Sequence, residues 1–340
     1  MGAQQWVDAR TAAHRDGTLG ETLRRIGGTC RTMSGMPQSD AGPATAPSPS
    51  GSSDPVTVRR VLTLSCTDRV GIVAAVSAYL AELGGNMLDA QQFSDVDTAT
   101  FFMRVVVEGP AEAFDVEVLR KSFARDVASR FAMDYTVADP AVPRRLMVLV
   151  SRLDHCLVDL FYRCRTGSVP ASIVAVAGNH DVLRPLVESA GVPFHHVQVT
   201  STTKEAAEQR LREIAADADA EAWVLARYMQ ILSPGLCADL RGKAINIHHS
   251  FLPSFRGARP YHQAYARGVK LIGATAHYVT ADLDEGPIIE QEVARVTHSA
   301  RSEELAAVGR DLECQALARA VRWHVQNRVI LNGHKTVVFP

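Results

Sequence analysis

The sequence predicts an α/β protein with two folded units, a small antiparallel one and a larger one built on a mostly parallel sheet. Three observations predict this. The 340 residues are 46% hydrophobic, which is enough to fill two cores. From Val56 to Asp139, strand and helix patterns follow in the order βαββαβ. Beyond the stretch "DPAVPRR", strands and helices alternate, as is typical of βαβ crossovers.

The first 54 residues differ in composition from the rest. The stretch "SGMPQSDAGPATAPSPSGSSDP" is rich in Pro, Ser, Gly and Ala, which bury too little apolar area to order a backbone. We therefore expect residues 1–54 to be a disordered tail and linker. The alternative is that translation begins at Met33 or Met36, which the mass of the native protein would decide.

Residues 55–140 carry the signals of the smaller unit. "VTVRRVLTLSC" is a β-rich run, and "DRVGIVAAVSAYLAELGG" has apolar residues at helical spacing before two glycines end the helix. "NMLDAQQFS" and "ATFFMRVVVEG" predict two more strands, "AEAFDVEVLRKSFARDVASRFA" a helix, and "MDYTVAD" a last strand. This βαββαβ order predicts a ferredoxin-like antiparallel sheet backed by two helices.

Residues 145–340 carry the signals of the larger, Rossmann-like unit. Strands are predicted at "RLMVLVS", "SIVAVAG", "FHHVQVT", "AWVLARY" and "AINIHHS", with helices between them. In such open sheets ligands bind beyond the carboxyl ends of the strands. A late amphipathic helix has the predicted apolar stripe Leu305, Val308, Leu312, Leu317 and Val321.

Charge and cysteine usage exclude several classes of function. With 36 basic and 37 acidic residues, the chain has no overall field that favours nucleic acid or a membrane surface. No run of 18 apolar residues and no secretory signal is present. The six cysteines lack the paired spacings of a zinc site or a disulfide framework. We expect a cytoplasmic protein without a metal, whose partners are small molecules.

The segment "NIHHSFLPSFRG" carries the candidate chemistry. Asn246 and His248 are two apart at a strand end and so share one face, where an amide can donate a hydrogen bond and an imidazole can move a proton. The loop "HYVTADLDEGP" adds Asp282, Asp284 and Glu285. An amide, an imidazole and a carboxylate suit direct attack on a carbonyl by water or an amine. The alternative is that the histidines satisfy backbone groups and the acids are solvated.

These segments resemble a known family. "NIHHSFLPSFRGARPYHQAYARGVKLIGATAHYVTADLDEGPIIEQE" resembles the core of the folate-dependent formyltransferases, which implies that Asn246, His248 and Asp284 form the catalytic triad. "LARYMQILSP" resembles the strand and turn that line the folate pocket in that family. The residues that this resemblance assigns to folate binding are Met229, Gln230, Ile231 and Leu232.

The N-terminal unit resembles an ACT domain, a module that commonly binds an amino acid between two copies. This implies an amino-acid effector held by Asp68, Gly71 and Asn86, and a homo-oligomer. The alternative for these residues is helix capping and a turn. The two units together resemble the formyltetrahydrofolate deformylases, which implies hydrolysis of 10-formyltetrahydrofolate to formate and tetrahydrofolate. Folate is then the substrate, and no separate cofactor is expected.

One departure from the transferases favours water as the acceptor. Glycinamide ribonucleotide formyltransferases carry a glycine-rich turn after the first strand, where backbone N–H groups hold a phosphate. Here the turn reads "VSRLDHCLVDL", which has no glycine. Two alternatives remain open, a formyltransferase that uses an amine acceptor and a regulatory protein that only binds folate and an amino acid.

Two further histidines are weaker candidates for substrate binding. His249 either closes the site against an amine acceptor or packs on its own backbone. His277 lies on the strand "GATAHYV" and is expected to hydrogen bond the loop that presents Asp284.

Overall fold

The computed structural model describes residues 56–250, 252 and 260–340. The predicted tail at 1–54 lies outside the described residues. The elements of the first sheet region are β1 (Thr57–Thr67), α1 (Ile72–Glu82), β2 (Asn86–Asp95), β3 (Thr100–Pro110), α2 (Val116–Phe123), α3 (Ser129–Phe131) and β4 (Asp134–Ala138). A π-helical turn, Ala124–Ala128, joins α2 to α3. The strands form one antiparallel sheet in the order β2-β3-β1-β4, so the predicted βαββαβ arrangement is confirmed.

The second helix of this unit begins later than the sequence pattern predicts. The apolar periodicity extends back to Ala111, but α2 starts at Val116. The carboxylate of Asp115 accepts hydrogen bonds from the backbone N–H groups of Glu117 and Val118 at 3.0 and 3.1 Å. An Asp in this position satisfies two of the free donors of a first turn, and it therefore fixes the helix start.

The second region contains the larger sheet. Its elements are β5 (Arg144–Val150), α4 (His155–Arg165), β6 (Ala171–Gly178), α5 (Arg184–Ser189), β7 (Phe194–His196), α6 (Lys204–Asp217), β8 (Ala222–Leu225), α7 (Pro234–Asp239), β9 (Ala244–His248), α8 (Pro260–Ala266), β10 (Leu271–Tyr278), β11 (Ile288–Arg295) and α9 (Ser302–Val325). A hairpin of β12 (Val329–Asn332) and β13 (Lys335–Val338) follows.

The seven strands lie in the order β11-β10-β9-β8-β5-β6-β7. β5 to β9 are parallel, whereas β10 and β11 run antiparallel to their neighbours. From β5 the chain moves outward through β6 and β7, then returns to add β8 and β9 on the other side of β5. Such a reversal of strand order opens a crevice at the carboxyl ends of the central strands.

Helices cover both faces of this sheet, each over its own hydrophobic core. α4 and α9 bury residues such as Leu157 and Leu317 on one face, and α6 and α7 bury Leu211 and Leu236 on the other. The predicted apolar stripe of α9 is right for its other four members, but Val308 is 37% exposed. The buried face of the helix instead passes through Gly309, the next residue along the chain.

The segment after α9 contacts the first sheet. Arg104 of β3 is buried, and its guanidinium donates to the carbonyl oxygens of Gln326 and Asn327 at 3.3 and 3.2 Å. Asn332 donates from Nδ2 to the Asp95 carboxylate at 2.6 Å. Cations stabilise helix C-termini, so Arg104 ties the end of α9 to the antiparallel sheet. Among the helices that the structure describes, none combines the length and the apolar character needed to cross a membrane.

Candidate active site

A cleft with a volume of about 230 Å³ opens at the carboxyl ends of β8 and β9. The three residues predicted to be catalytic, Asn246, His248 and Asp284, line it, and so do two of those predicted to bind substrate, His249 and His277. The first two come from the end of β9, and Asp284 comes from the loop between β10 and β11. The structure therefore brings together two segments that are separated along the chain, at the crevice that the strand order creates.

The residues predicted to bind folate form another wall of the same cleft. They are Met229, Gln230, Ile231 and Leu232. Leu232 is buried, whereas the side chains of Met229 and Ile231 are exposed at the opening. Met229 is held by a hydrogen bond from its backbone N–H to the Ser151 hydroxyl at 2.9 Å. Exposed apolar side chains beside buried polar groups are typical of small-molecule sites.

The orientation of Asn246 is fixed by His277, which pairs with it across β9 and β10. His277 Nδ1 lies 2.9 Å from the backbone oxygen of Tyr278, and because a carbonyl only accepts, this nitrogen carries a proton. Burial lowers the pKa of His277, so the ring is neutral and its Nε2 accepts from Asn246 Nδ2 at 3.2 Å. No described residue accepts the second amide proton of Asn246, which can therefore donate to a ligand.

His248 and Asp284 form the central polar pair of the cleft. His248 Nδ1 lies 3.1 Å from Asp284 Oδ1, and the two side chains are only 6% and 13% exposed. His248 Nε2 is buried and has no hydrogen-bond partner within the described part of the chain. A buried imidazole nitrogen without a partner is unfavourable unless a ligand supplies one. His248 Nε2 is therefore placed to form a hydrogen bond with a ligand in the cleft.

The loop that presents Asp284 adopts a constrained backbone. Asp284 has a φ of 58°, in the left-handed region that residues with a Cβ rarely occupy. Burial raises the pKa of its carboxyl, but the hydrogen bond from His248 and the nearby imidazoles outweigh this, and the pKa lies below its usual value. Asp284 is thus ionised at neutral pH while it is largely enclosed.

His249 follows His248 at the end of β9 and also lines the cleft. Its ring centroid is 5.0 Å from that of His248 and 6.3 Å from that of Tyr261. Burial, with the charges of Arg227 and His248, lowers the pKa of His249 to about 4. His249 is therefore a neutral group of the cleft wall, and the structure brings it to the site as predicted.

A second polar cluster behind His249 was not predicted from the sequence. Glu313 of α9 is 1% exposed, and its carboxylate accepts from His155 Nε2 at 2.8 Å and from the Tyr261 hydroxyl at 2.7 Å. Arg227 Nε lies 3.3 Å from the same carboxylate, and Arg227 also lines the cleft. The available signal was Glu313 itself, a charged residue that follows Leu312 on the apolar side of an amphipathic helix.

Close packing holds this cluster together. A Cβ at Gly309 would lie 2.2 Å from the Tyr261 hydroxyl oxygen, so the phenol rests directly on the backbone of α9. Gly309 and Glu313 are one helical turn apart, and Tyr261 contacts the first and donates to the second. Burial, with the Glu313 charge, raises the pKa of Tyr261 far above its usual value, which keeps the phenol a hydrogen-bond donor.

The structure also brings three residues with metal-ligating atoms together, although the sequence spacing did not suggest this. Ligand atoms of His155, Cys156 and Cys314 lie within 4.8 Å of one another. A hydrogen bond with Cys314 and burial raise the pKa of Cys156 well above its usual value, so its thiol is neutral. Because metals bind the thiolate, and because His155 Nε2 already contacts Glu313, we assign no metal to this group.

The residues predicted to bind an amino-acid effector do not all meet within one chain. Gly71 caps α1 with a φ of 96°, a conformation that favours glycine, and Asp68 is three residues before it. Asn86 pairs with Glu108 on β3, whereas Thr67, next to Asp68, pairs with Thr100. The eight positions between Thr100 and Glu108 correspond to about 26 Å at 3.3 Å per residue, so Asn86 lies at the opposite end of the sheet.

Comparison with known proteins identifies both units. A family model described as formyl transferase matches residues 144–321, and one described as ACT domain matches residues 60–117. The chain is 47% identical over 281 residues to a formyltetrahydrofolate deformylase of Corynebacterium sp. (strain P-1), which spans 83% of this chain and 98% of that protein.

Solved structures give the same relationship. A crystal structure of formyltetrahydrofolate deformylase from Burkholderia mallei ATCC 23344 superposes with a TM-score of 0.79 and 48% identity, over 83% of this chain and all of the other. Glycinamide ribonucleotide transformylase 1 from Symbiobacterium toebii matches with a TM-score of 0.55 and 27% identity. That match covers 58% of this chain and 95% of the transferase. The transferase therefore resembles only part of this chain, whereas nearly all of the transferase is matched.

Gly286→Ala tests how the loop holds its acid. A Cβ at this position would lie 1.7 Å from the backbone oxygen of Tyr278 and 2.9 Å from His277 Nδ1, so the loop would have to move. Because a misplacement of about 1 Å can cost about 10²-fold in rate, we expect turnover to fall by about that factor. Gly235→Ala is the control, since its new Cβ would meet only Ser233 Oγ at 3.9 Å. Equal turnover in both variants would contradict this role of the loop.

Two buried imidazoles make the stability of the fold depend on pH. Burial lowers the pKa of His249 and of His324 to about 4, whereas an unfolded chain has values near 6.5. The unfolded state binds more protons between these values, so the free energy of unfolding falls as the pH is lowered from about 6.5 to about 4. We expect the His324→Gln variant to take up about one proton fewer than the parent protein when it unfolds near pH 5. The number of protons is obtained from the pH dependence of the free energy of unfolding, measured by urea unfolding.

The exposed loop residue His298 provides the control for that measurement. An unchanged uptake in His324→Gln would mean that burial does not keep this ring neutral in the folded state.

Proposed function

The chain belongs to the formyltetrahydrofolate deformylase family, and on that basis we propose that its cleft hydrolyses 10-formyltetrahydrofolate to formate and tetrahydrofolate. The observation that carries the proposal is the convergence of Asn246, His248 and Asp284 at one cleft, with His248 Nε2 buried and free of any partner among the described residues. Folate is the substrate, and the reaction as proposed uses no further cofactor.

Asn246 and His248 polarise the formyl group in this proposal. The free amide proton of Asn246 donates to the formyl oxygen, which gains negative charge as the carbonyl carbon becomes tetrahedral. When both ring nitrogens of His248 carry protons, Nδ1 donates to Asp284 and Nε2 donates to the same oxygen. Both donors are fixed before the substrate arrives, so little reorganisation accompanies the reaction.

Asp284 activates the water in this proposal. Its carboxylate is ionised; Oδ1 contacts His248, and Oδ2 makes no hydrogen bond to a described residue. A water bound to it is oriented towards the formyl carbon, and the carboxylate accepts a proton as the carbon–oxygen bond forms. His248 shares in returning a proton to N10 when tetrahydrofolate leaves. Met229, Gln230, Ile231 and Leu232 hold the pterin, with His249 and His277 forming the polar side of the cleft.

The first region is proposed to regulate this reaction through an amino acid. Asp68 and Gly71 lie at the start of α1, whose N-terminal N–H groups suit a carboxylate, and Asn86 lies about 26 Å away at 3.3 Å per residue. That separation supports a site completed by Asn86 of a second copy, and hence a homo-oligomer. The cysteines that the structure describes are free thiols, which supports a cytoplasmic setting.

Formate release without an acceptor is the decisive assay. Purified protein should produce formate from 10-formyltetrahydrofolate in water alone, and either His248→Ala or Asp284→Asn should lower turnover by about 10²-fold or more. His298→Ala and Asp311→Asn, at exposed positions, are the matched controls. Release that requires an added amine would identify a transferase instead, and tight folate binding without turnover would identify a binding protein.

A panel of amino acids tests the regulatory proposal. One of them should change the rate of formate release by at least about twofold, and Asn86→Ala should abolish that response while it leaves the rate without effector unchanged. Gln92→Ala, at another exposed position on β2, should retain the response. The mass of the particle in solution should exceed that of one chain. A monomer, or a response that Asn86→Ala leaves intact, would contradict the shared site.

A further inference from the structure

Arg227 combines a set of properties that its packing does not explain. It comes two residues after β8 and lines the cleft, and its side chain is only 10% exposed. Its φ is 65°, a left-handed conformation that disfavours residues with a Cβ. Strained backbone of this kind persists where the surroundings enforce it, and it concentrates at binding and catalytic sites.

The donors of Arg227 lack acceptors. The guanidinium offers five N–H donors in a rigid fork, but no hydrogen bond from it to any described residue exists, and its Nε is buried without a partner. Its counter-ion is Glu313, with Oε2 3.3 Å from Nε. A buried charged donor is costly when it is left unpaired, so the pocket around Arg227 is suited to an anion that accepts these bonds.

Glu313 balances the positive charge of Arg227 but does not accept a hydrogen bond from its guanidinium. Its Oε2 accepts from His155 and its Oε1 accepts from Tyr261, at 2.8 and 2.7 Å. These two donors engage the carboxylate and hold it on α9, next to the cation. Among the described residues that line the cleft, Arg227 is the one whose side chain has unused hydrogen-bond donors and a positive charge for an anion, because His249 is neutral and Asp284 is negative.

Hydrolysis creates such an anion. Water adds to the formyl carbon, the bond from that carbon to N10 breaks, and N10 takes one proton, so the products are tetrahydrofolate, formate and one released proton. Transfer to an amine would leave a neutral amide in the same place. Formate appears beside the ionised Asp284, and their repulsion favours a position next to Arg227, a cation that lines the same cleft.

We propose that Arg227 is a product-binding residue that receives the carboxylate of formate through its guanidinium fork. The inference rests on the proposed hydrolytic function and deepens it by assigning a separate anion subsite within the cleft. Planar, bidentate recognition of a carboxylate is the geometry that a guanidinium provides and an ammonium does not. The Glu313 cluster, which includes His155, Tyr261 and the slot at Gly309, positions this cation.

Product inhibition and direct binding of sodium formate test the subsite. In Arg227→Met the inhibition constant of formate should rise at least about tenfold, and Arg227→Lys, which keeps the charge without the fork, should give an intermediate rise. Glu313→Gln should have the opposite effect and lower the constant, because Gln still accepts from Tyr261 but no longer competes for the cation. Calorimetric titration of each folded variant with formate, with sodium chloride as the ionic-strength control, gives the same ranking without turnover.

The competing explanation is that Arg227 only balances the buried charge of Glu313. In that case Arg227→Met lowers the unfolding midpoint, the double variant Arg227→Met/Glu313→Gln restores it, and formate affinity is the same in every variant; this result overturns the proposal. If the protein binds formate through Arg227 but releases none from 10-formyltetrahydrofolate, the hydrolytic function fails while the anion subsite stands. If it releases formate and Arg227→Met binds it normally, the subsite fails alone.

Discussion

The hydrogen bond between His248 Nδ1 and Asp284 Oδ1 is the interaction on which the site depends. It joins the end of a parallel strand to a loop between two antiparallel strands, and neither segment could make the cleft alone. The bond also sets the charges, because it helps to keep Asp284 ionised although the residue is largely enclosed. The contact of Gly286 with the Tyr278 carbonyl brings the loop close enough for the bond to form.

Strand pairing extends this constraint to the neighbouring groups. β10 runs antiparallel to β9, so His277 stands opposite Asn246 and Thr275 stands opposite His248. Thr275 donates from its hydroxyl to the backbone oxygen of Ser250 and accepts from the N–H of Leu252, which fixes the chain just after the paired histidines. The positions of Asn246, His248 and His277 therefore follow from the register of two strands, and His277 fixes the orientation of Asn246 through a hydrogen bond.

Local patterns predict those parts of the site that depend on local geometry. The period of two along a strand places Asn246 and His248 on one face, and alternating elements predict the sheet edge where they lie. Arg227, Tyr261 and Glu313 could not be assigned in this way, because their cluster exists only once α9 has packed on the sheet. The same packing explains Val308, since Gly309 rather than Val308 provides the surface for Tyr261. The start of α2 was missed because the cap by Asp115 outweighs the apolar periodicity upstream.

The cluster also gives a physical meaning to the turn "VSRLDHCLVDL". A turn without glycine offers no bare backbone for a phosphate, but here it delivers His155 at the first residue of α4. His155 uses Nε2 to hold the Glu313 carboxylate, and Glu313 in turn holds Arg227 at the cleft. The turn thus contributes a side chain that helps to organise one wall of the cleft. The glycine-free turn after β5 would then have two effects. It lacks the backbone that would hold a phosphorylated acceptor, and it supplies His155, which supports Arg227 as the proposed binding group for formate.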